Sequence, residues 1–397
     1  MIELLAPAGD LNRLKIAFLY GADACYIGGK KFSLRAIASN FSVSEIKEAC
    51  QFAHSINKKV YVTINMVFHN ENIEGLLEYL YDLEDAKVDG VIASDPLVLD
   101  MIKSNNINID VHVSTQASTC NKESVSYWLS KGATRVVLAR EVCRDDIKDI
   151  IDSTGAEIEV FLHGAMCTCV SGRCVLSNYF TNRDSNRGGC AQVCRFVFDL
   201  DGKERDVKYS IATNDLNLGS YIPDLIDIGV KSLKIEGRMR SVYYVATVIS
   251  CYRKLIDAYY NNSFTKELLD EVITLLDRVA NRESTSHFYK GYADVSDQYY
   301  IGRDEVSNQD FLGLVLDYNE EEKFITLEQR NYFSPGDKVV VFTPEGKEYS
   351  FTLDKIYDED GNLLDAARHP RQIIRIPFDS KIEKFSMMRI NFLSKQA

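Results

Sequence analysis

Apolar and polar residues alternate between two periods along the first two-thirds of the chain. Short runs rich in β-branched residues, "IELLAP", "ACYIGG", "VYVTIN", "GVIAS", "DVHVST", "RVVLAR", "EIEVFLHG" and "SLKIEGR", read as strands. Between them lie stretches of helical period such as "VSEIKEACQFAHSINK", "IEGLLEYLYDLEDAK" and "KESVSYWLSKGA", the last stopped by Gly132. Eight strands in eight βα units predict an α/β fold of the (β/α)8, TIM-like barrel type, with "SVYYVATVISCYRKLIDAYY" as the eighth helix. The first turn, "APAGDLNRL", lacks the glycine pattern of a dinucleotide-binding open sheet.

The seventh unit breaks the rhythm. An insertion at about 165–214 separates its strand from its helix "DLIDIG", far longer than a βα loop needs. The expected organisation is a barrel over 1–262 carrying this insertion after strand 7, a helical connection over 263–310 with "FTKELLDEVITLLDRVANR", and a small all-β domain, a β-barrel or sandwich, over 311–397.

Composition changes the picture at one point. The 397 residues hold 10 cysteines, and five of them, Cys167, Cys169, Cys174, Cys190 and Cys194, fall inside the insertion. The start, "MIELLAPAGD", has no signal-peptide character and no segment has the length of a membrane span, so a cytoplasmic, non-membrane protein is expected. In a reducing compartment clustered thiols point to metal binding or catalysis. Cys25, Cys50, Cys120, Cys143 and Cys251 stand singly and read as small buried residues. A net charge of −12 excludes a surface of uniformly positive potential, though not a local basic groove.

Cys167 with Cys174, and Cys190 with Cys194, make two pairs joined by "NYFTNRDSNRGG". Four thiolates suit a tetrahedral Zn2+ or an iron–sulfur cluster, and the spacing leaves both open. Gly172, Gly188 and Gly189 give the backbone freedom to close around such a centre, and Cys169 is an alternate ligand or a bystander. Since βα loops gather at the C-terminal face, the cluster belongs at the barrel mouth.

Strand alternation puts Glu159, Phe161 and His163 inside the barrel, with Lys234, Glu236 and Arg238 from the last strand. Glu159, His163 and Glu236 are the candidate catalytic groups, His163 as acid or base. Asn65, Gln116, Arg140, Lys234 and Arg238 are the candidate substrate-binding groups, the arginines suiting a carboxylate or phosphate. Glu159 with Lys234, or Glu236 with Arg140, would serve equally as structural ion pairs.

"EVFLHGAMCTCVSGRCVLS", with "ELLAPAGD", "GGCAQVCR" and "KIEGRMRS", resembles the peptidase U32 family over nearly the whole chain, through Glu159, Phe161, Gly164, Cys167, Gly172, Cys174 and Ser177. The family takes its name from collagenase-like proteases, and the resemblance is to its tRNA-hydroxylation branch. It implies a barrel, and a 4Fe–4S cluster on Cys167, Cys174, Cys190 and Cys194. It also implies oxygen-independent, prephenate-dependent hydroxylation of wobble uridine to 5-hydroxyuridine, with tRNA or rRNA as partner and room for a paralogous partner subunit. The competing readings are a collagenase-like peptidase and a zinc-stabilised, non-enzymatic RNA-binding scaffold. Neither a Gly-x-Ser-x-Gly nor a His-Glu-x-x-His motif is present.

Overall fold

The computed structural model describes residues 1–34, 40–199, 209–280, 282–298 and 309–392. They form two compact units, Met1–Phe18 with Ala22–Glu305 and Leu19–Gly21 with Val306–Ala397. No helix among the described residues is long and apolar enough to cross a membrane.

All eight expected strands form. In chain order they are β1 (Glu3–Pro7), β2 (Ala24–Gly28), β3 (Lys59–Ile64), β4 (Gly90–Ala93), β5 (Asp110–Val113), β6 (Arg135–Val137) and β7 (Glu157–Gly164), then, past a short β8 (Asp215–Asn217), β9 (Ser232–Ile235). Each strand of the ring pairs in parallel with its neighbours, and β9 closes it by pairing with both β7 and β1. β8 runs antiparallel to the end of β7 and carries β10 (Ser284–Thr285).

Local chemistry sets the surrounding helices: α1 (Leu11–Leu19), α2 (Val43–Ser55), α3 (Leu76–Asp85), α4 (Pro96–Ser104), α5 (Lys122–Ser130) and α6 (Arg144–Thr154). Ser42 caps α2 in a reciprocal box with Glu45, and the helix buries Ile46, Ala49, Cys50 and Ala53 on one face. Asp95 and Pro96 start α4, while α6 ends at Gly155, whose φ of 63° favours glycine. After α7 (Leu176–Thr181) in the insertion come α8 (Ile222–Asp227), α9 (Val242–Tyr260) and α10 (Lys266–Val279).

The segment expected as a helical connection is part of the first unit. α10 lays Val272, Leu275, Leu276 and Val279 inward and packs on α9, with Lys254 and Glu271 3.3 Å apart. An amphipathic helix this apolar on one side needs a partner face, and α9 supplies it.

Lower in the barrel the interior is charged. Glu159 is fully buried, with its carboxylate 2.8 Å from Lys234 Nζ and 3.4 Å from Arg135. Arg135 also meets Glu3 at 2.5 Å, and Glu3 accepts from Tyr61 (2.8 Å) and Ser232 (2.7 Å). Burial alone would raise the Glu159 pKa, but Lys234 and Arg135 outweigh it and hold the carboxyl below its usual range. Above this layer Lys234 Nζ lies 5.6 Å from the Phe161 ring, and Arg140 covers that ring at 3.8 Å.

The second unit is a single antiparallel sheet: β11 (Phe311–Asn319), β12 (Phe324–Gln329), β13 (Lys338–Phe342), β14 (Glu348–Thr352), β15 (Ile356–Tyr357), β16 (Leu363–Leu364), β17 (Ile373–Pro377) and β18 (Met387–Ile390). Its order is β14-β13-β18-β11-β12-β17-β15-β16, leaving β14 and β16 as edges among the described residues. It is therefore an open half-barrel rather than a closed ring, folded over a core that includes Leu312, Leu327, Val339 and Met388.

Candidate active site at the open end of the barrel

The insertion is tied across the C-terminal face by contacts to three different βα loops. Asn186 O accepts from Val67 N (3.0 Å) and Arg187 pairs with Glu71 (2.5 Å), both after β3. Arg173 Nε donates to Gln116 O (2.7 Å) after β5, and Ser171 N donates to Glu141 Oε1 (2.9 Å) after β6. Arg140 Nη1 donates to Ala165 O (2.5 Å) at the insertion's first residue.

Enclosed beneath these ties is a cavity of about 280 Å³. All five insertion thiols line it, together with Gln116, Arg140, Glu141, Arg195 and Arg282 and the apolar Leu34, Met166, Leu176, Val193 and Met239. The turns that present the thiols are held by side chains rather than by regular structure. Asn186 brackets Cys174, accepting from its N–H (3.1 Å) and donating to its carbonyl (3.0 Å), while Leu176 N–H points at its sulfur (3.3 Å). Gly189 must lack a side chain, since a Cβ there would come within 2.7 Å of Asp184 O.

The thiols sense one another. Burial raises the Cys167 pKa, and the neighbouring Cys194 and Cys174 add to it while Arg140 opposes. Cys169 hydrogen-bonds with Cys174 and is pushed up to about 12, first by burial and then by that bond. Among the described residues no three His, Cys, Asp or Glu side chains already stand in metal-holding geometry. The chemistry of the donor set nevertheless fits a thiophilic centre, since five soft donors face one cavity.

The other predicted residues divide. Gln116 and Arg140 line the cavity. Asn65 accepts from Leu34 N (3.2 Å) and so orders a lining residue rather than lining the cavity itself. Arg238 is buried, with its guanidinium on Ser33 Oγ (3.2 Å). Glu236 stands beside the mouth, its N–H bonded to His163 O (2.8 Å) and its charge felt by Arg140. Glu159 and Lys234 belong to the charged layer below.

His163 does not point into the barrel. A bulge between Phe161 and His163 resets the alternation, so that His163 pairs with Ile235 and turns to α9, where its Nδ1 lies 3.0 Å from Tyr252 Oη. Burial, with Arg240 adding to it, pulls its pKa down to about 3 and keeps it neutral. It is a packed structural group. Cys120, expected to be buried, is exposed, and Cys143 caps the start of α6 half-exposed, because both precede helices at loop positions.

Residues 9–299 match Peptidase family U32, and residues 307–389 match the Peptidase family U32 C-terminal domain. The chain belongs to peptidase family U32. Among its U32 relatives, tRNA hydroxylation protein P1 of Bacillus subtilis is 47% identical, across 98% of this chain and 94% of that protein. The 23S rRNA 5-hydroxycytidine C2501 synthase of Escherichia coli is 40% identical, across 65% of this chain and 39% of that one. A Porphyromonas gingivalis protein named collagenase is 35% identical, across 73% of each chain.

Sequence reasoning passed over four residues of this U32 cavity. Ser171 and Arg195 lie among the cysteines and were overshadowed by them. Arg282, 2.5 Å from Asp215 and beside the cavity, comes from the segment taken as a connection. Glu141 adjoins Arg140 and belongs to no motif of its own in the sequence.

Proposed function

We propose that this U32 chain is an RNA-modifying enzyme that hydroxylates tRNA, converting wobble uridine to 5-hydroxyuridine without molecular oxygen and with prephenate as the small dicarboxylate, in the cytoplasm. The observation that carries the reading is the thiol-lined cavity of about 280 Å³ at the open end of the barrel, a volume near the lower end of small-ligand sites (roughly 300 Å³ upward) and suited to one base. Near-full-length similarity to a protein named for tRNA hydroxylation supports the substrate class.

Cys167, Cys174, Cys190 and Cys194 would hold a 4Fe–4S cluster, which supplies redox or Lewis-acid chemistry when bound. The chain's own residues do the rest. Arg195 and Arg282 offer positive charge for a dicarboxylate at the cavity wall. Leu176 and Val193 exclude water from it. Outside, Tyr179 is 83% exposed and Phe180 and Phe196 are also exposed, flanked by the exposed Arg173 and Arg183. Aromatic faces with interleaved arginines suit unpaired bases and their phosphates.

Deleting the gene should remove a hydroxyl from wobble uridines, seen as a loss of 16 mass units per nucleoside, and restoring it should return the mass. Unchanged nucleoside profiles would reject the assignment. The peptidase reading is weaker on chemical grounds, because among the described residues no histidine lines the cavity to activate a thiol. Release of peptides from gelatin by the purified protein, lost on Cys174→Ser, would restore it.

A further inference from the structure

Six residues of the cavity wall keep a buried polar atom without a hydrogen-bond partner among the described residues: Gln116 Oε1, Glu141 Oε2 and Ser171 Oγ along one edge, and Arg140 Nε, Thr213 Oγ1 and Arg282 Nη2, the last held only by its ion pair with Asp215, elsewhere. Gln116 and Ser171 are 7% and 3% exposed, so water does not freely satisfy them. Leaving a buried acceptor unmatched costs about 1–3 kcal/mol. Unmatched atoms of both senses around one cavity point to a ligand that offers donors and acceptors together.

Their positions are fixed by bonds already made. The other oxygen of Glu141 accepts from Ser171 N (2.9 Å), the Gln116 carbonyl accepts from Arg173 (2.7 Å), and the Gln116 amide lies where a side chain at Gly172 would strike it, 2.9 Å away. Loops after β5 and β6 and the insertion thus present one rigid polar edge.

The chemistry of that edge selects its ligand. A carboxylate oxygen accepts only, so Glu141 repels an anionic group and favours a ligand N–H. Gln116 offers a second acceptor beside its own amide donors, and Ser171 offers a hydroxyl of either sense. A uracil edge presents one imide N–H, which Glu141 takes, between two carbonyl acceptors that draw donors from the Gln116 amide NH2 and the Ser171 hydroxyl. Apolar Leu176, Val193 and Met166 supply surface for its faces.

We propose that Gln116, Glu141 and Ser171 form a recognition edge for the Watson–Crick side of a single uracil drawn out of its RNA, with Glu141 accepting the N3–H. This rests on the RNA-hydroxylation reading and adds to it the residues that choose the base. The dicarboxylate is then met elsewhere on the wall, at Arg195 and Arg282. A base paired in a duplex cannot offer this edge, so the target nucleotide is unpaired or extruded.

The test is binding of a hairpin RNA whose loop carries one uridine, compared with the same hairpin carrying 3-methyluridine or cytidine there. The full-length protein should bind the uridine hairpin about tenfold more tightly than either, the worth of one hydrogen bond to a charged group. Glu141→Gln, which still accepts from Ser171 N, should erase that preference and move it toward cytidine, whose N3 accepts. Gln116→Leu should also weaken it, with both variants melting at the wild-type temperature. Equal affinity for uridine and 3-methyluridine, or an unaltered preference in Glu141→Gln, overturns the recognition edge. Nucleoside masses from a complemented deletion strain separate the two claims. Hydroxyl restored equally by wild type and Glu141→Gln sinks the edge alone, and no hydroxyl restored by wild type sinks the broader reading.

Discussion

Two buried histidines give the molecule a pH response that begins well above the carboxylate range. His112 is held near a pKa of about 3 by burial and by the Arg135 charge, and His163 near the same value by burial and Arg240. Both folded values lie below the unfolded ~6.5, so the unfolded chain takes up protons that the native state refuses. Stability is full above pH ~6.5 and falls as pH drops toward 3, by about 1.4 kcal/mol per unit for each histidine. Urea midpoints should decline between pH 6.5 and 5, and His163→Gln should flatten the decline. A midpoint constant over that interval would show the imidazoles to be protonated in the fold. Lys234→Met should cost about 3–5 kcal/mol in the same assay, because it leaves Glu159 buried with Arg135 as its one remaining cationic partner at contact distance. At this scale the sequence was legible where alternation held: Glu159, Phe161 and Lys234 do face inward. It misled at His163, since a bulge carries no marker in the residue types of "EVFLHG".

Among the elements, the strands and helices of the barrel were legible because hydrophobic period and caps agree, as at Ser42 and Asp95. β8 and β10 were not, being three- and two-residue pieces of largely polar sequence that pair only because β7 runs on past the ring. The insertion was legible as a place but not as a shape, since its turns are set by Asn186, Asp184 and Ser185 rather than by any periodic pattern. Gly189→Ala tests that dependence. Its Cβ would meet Asp184 O at 2.7 Å and displace the turn leading to Cys190 and Cys194, so if these thiols hold the proposed cluster, most of its iron and acid-labile sulfide should be lost while the unfolding midpoint of the barrel stays put. Retained iron would mean that this turn does not set the ligands.

For the whole molecule, the division into barrel and all-β part was readable from the change of texture near Phe311. The helix α10 reads in the sequence only as part of a connection, because its apolar face declares a need for a partner but not that the partner is α9. The second unit has its own core, from Leu312 to Met388. Residues 309–392 expressed alone should therefore give a cooperative thermal transition and an all-β circular dichroism spectrum. A disordered spectrum would show that this core is insufficient.

The filled axis of the barrel has a further consequence for turnover. Arg135, Glu159, Lys234, Phe161 and Arg140 follow one another in contact along the barrel interior beneath the thiol-lined cavity, so among the described residues the axis is filled by side chains. On the proposed reading, nucleotide and small acid would both come in over the C-terminal face, so each visitor would have to depart or stand aside before the next is served, and an excess of one should slow the admission of another.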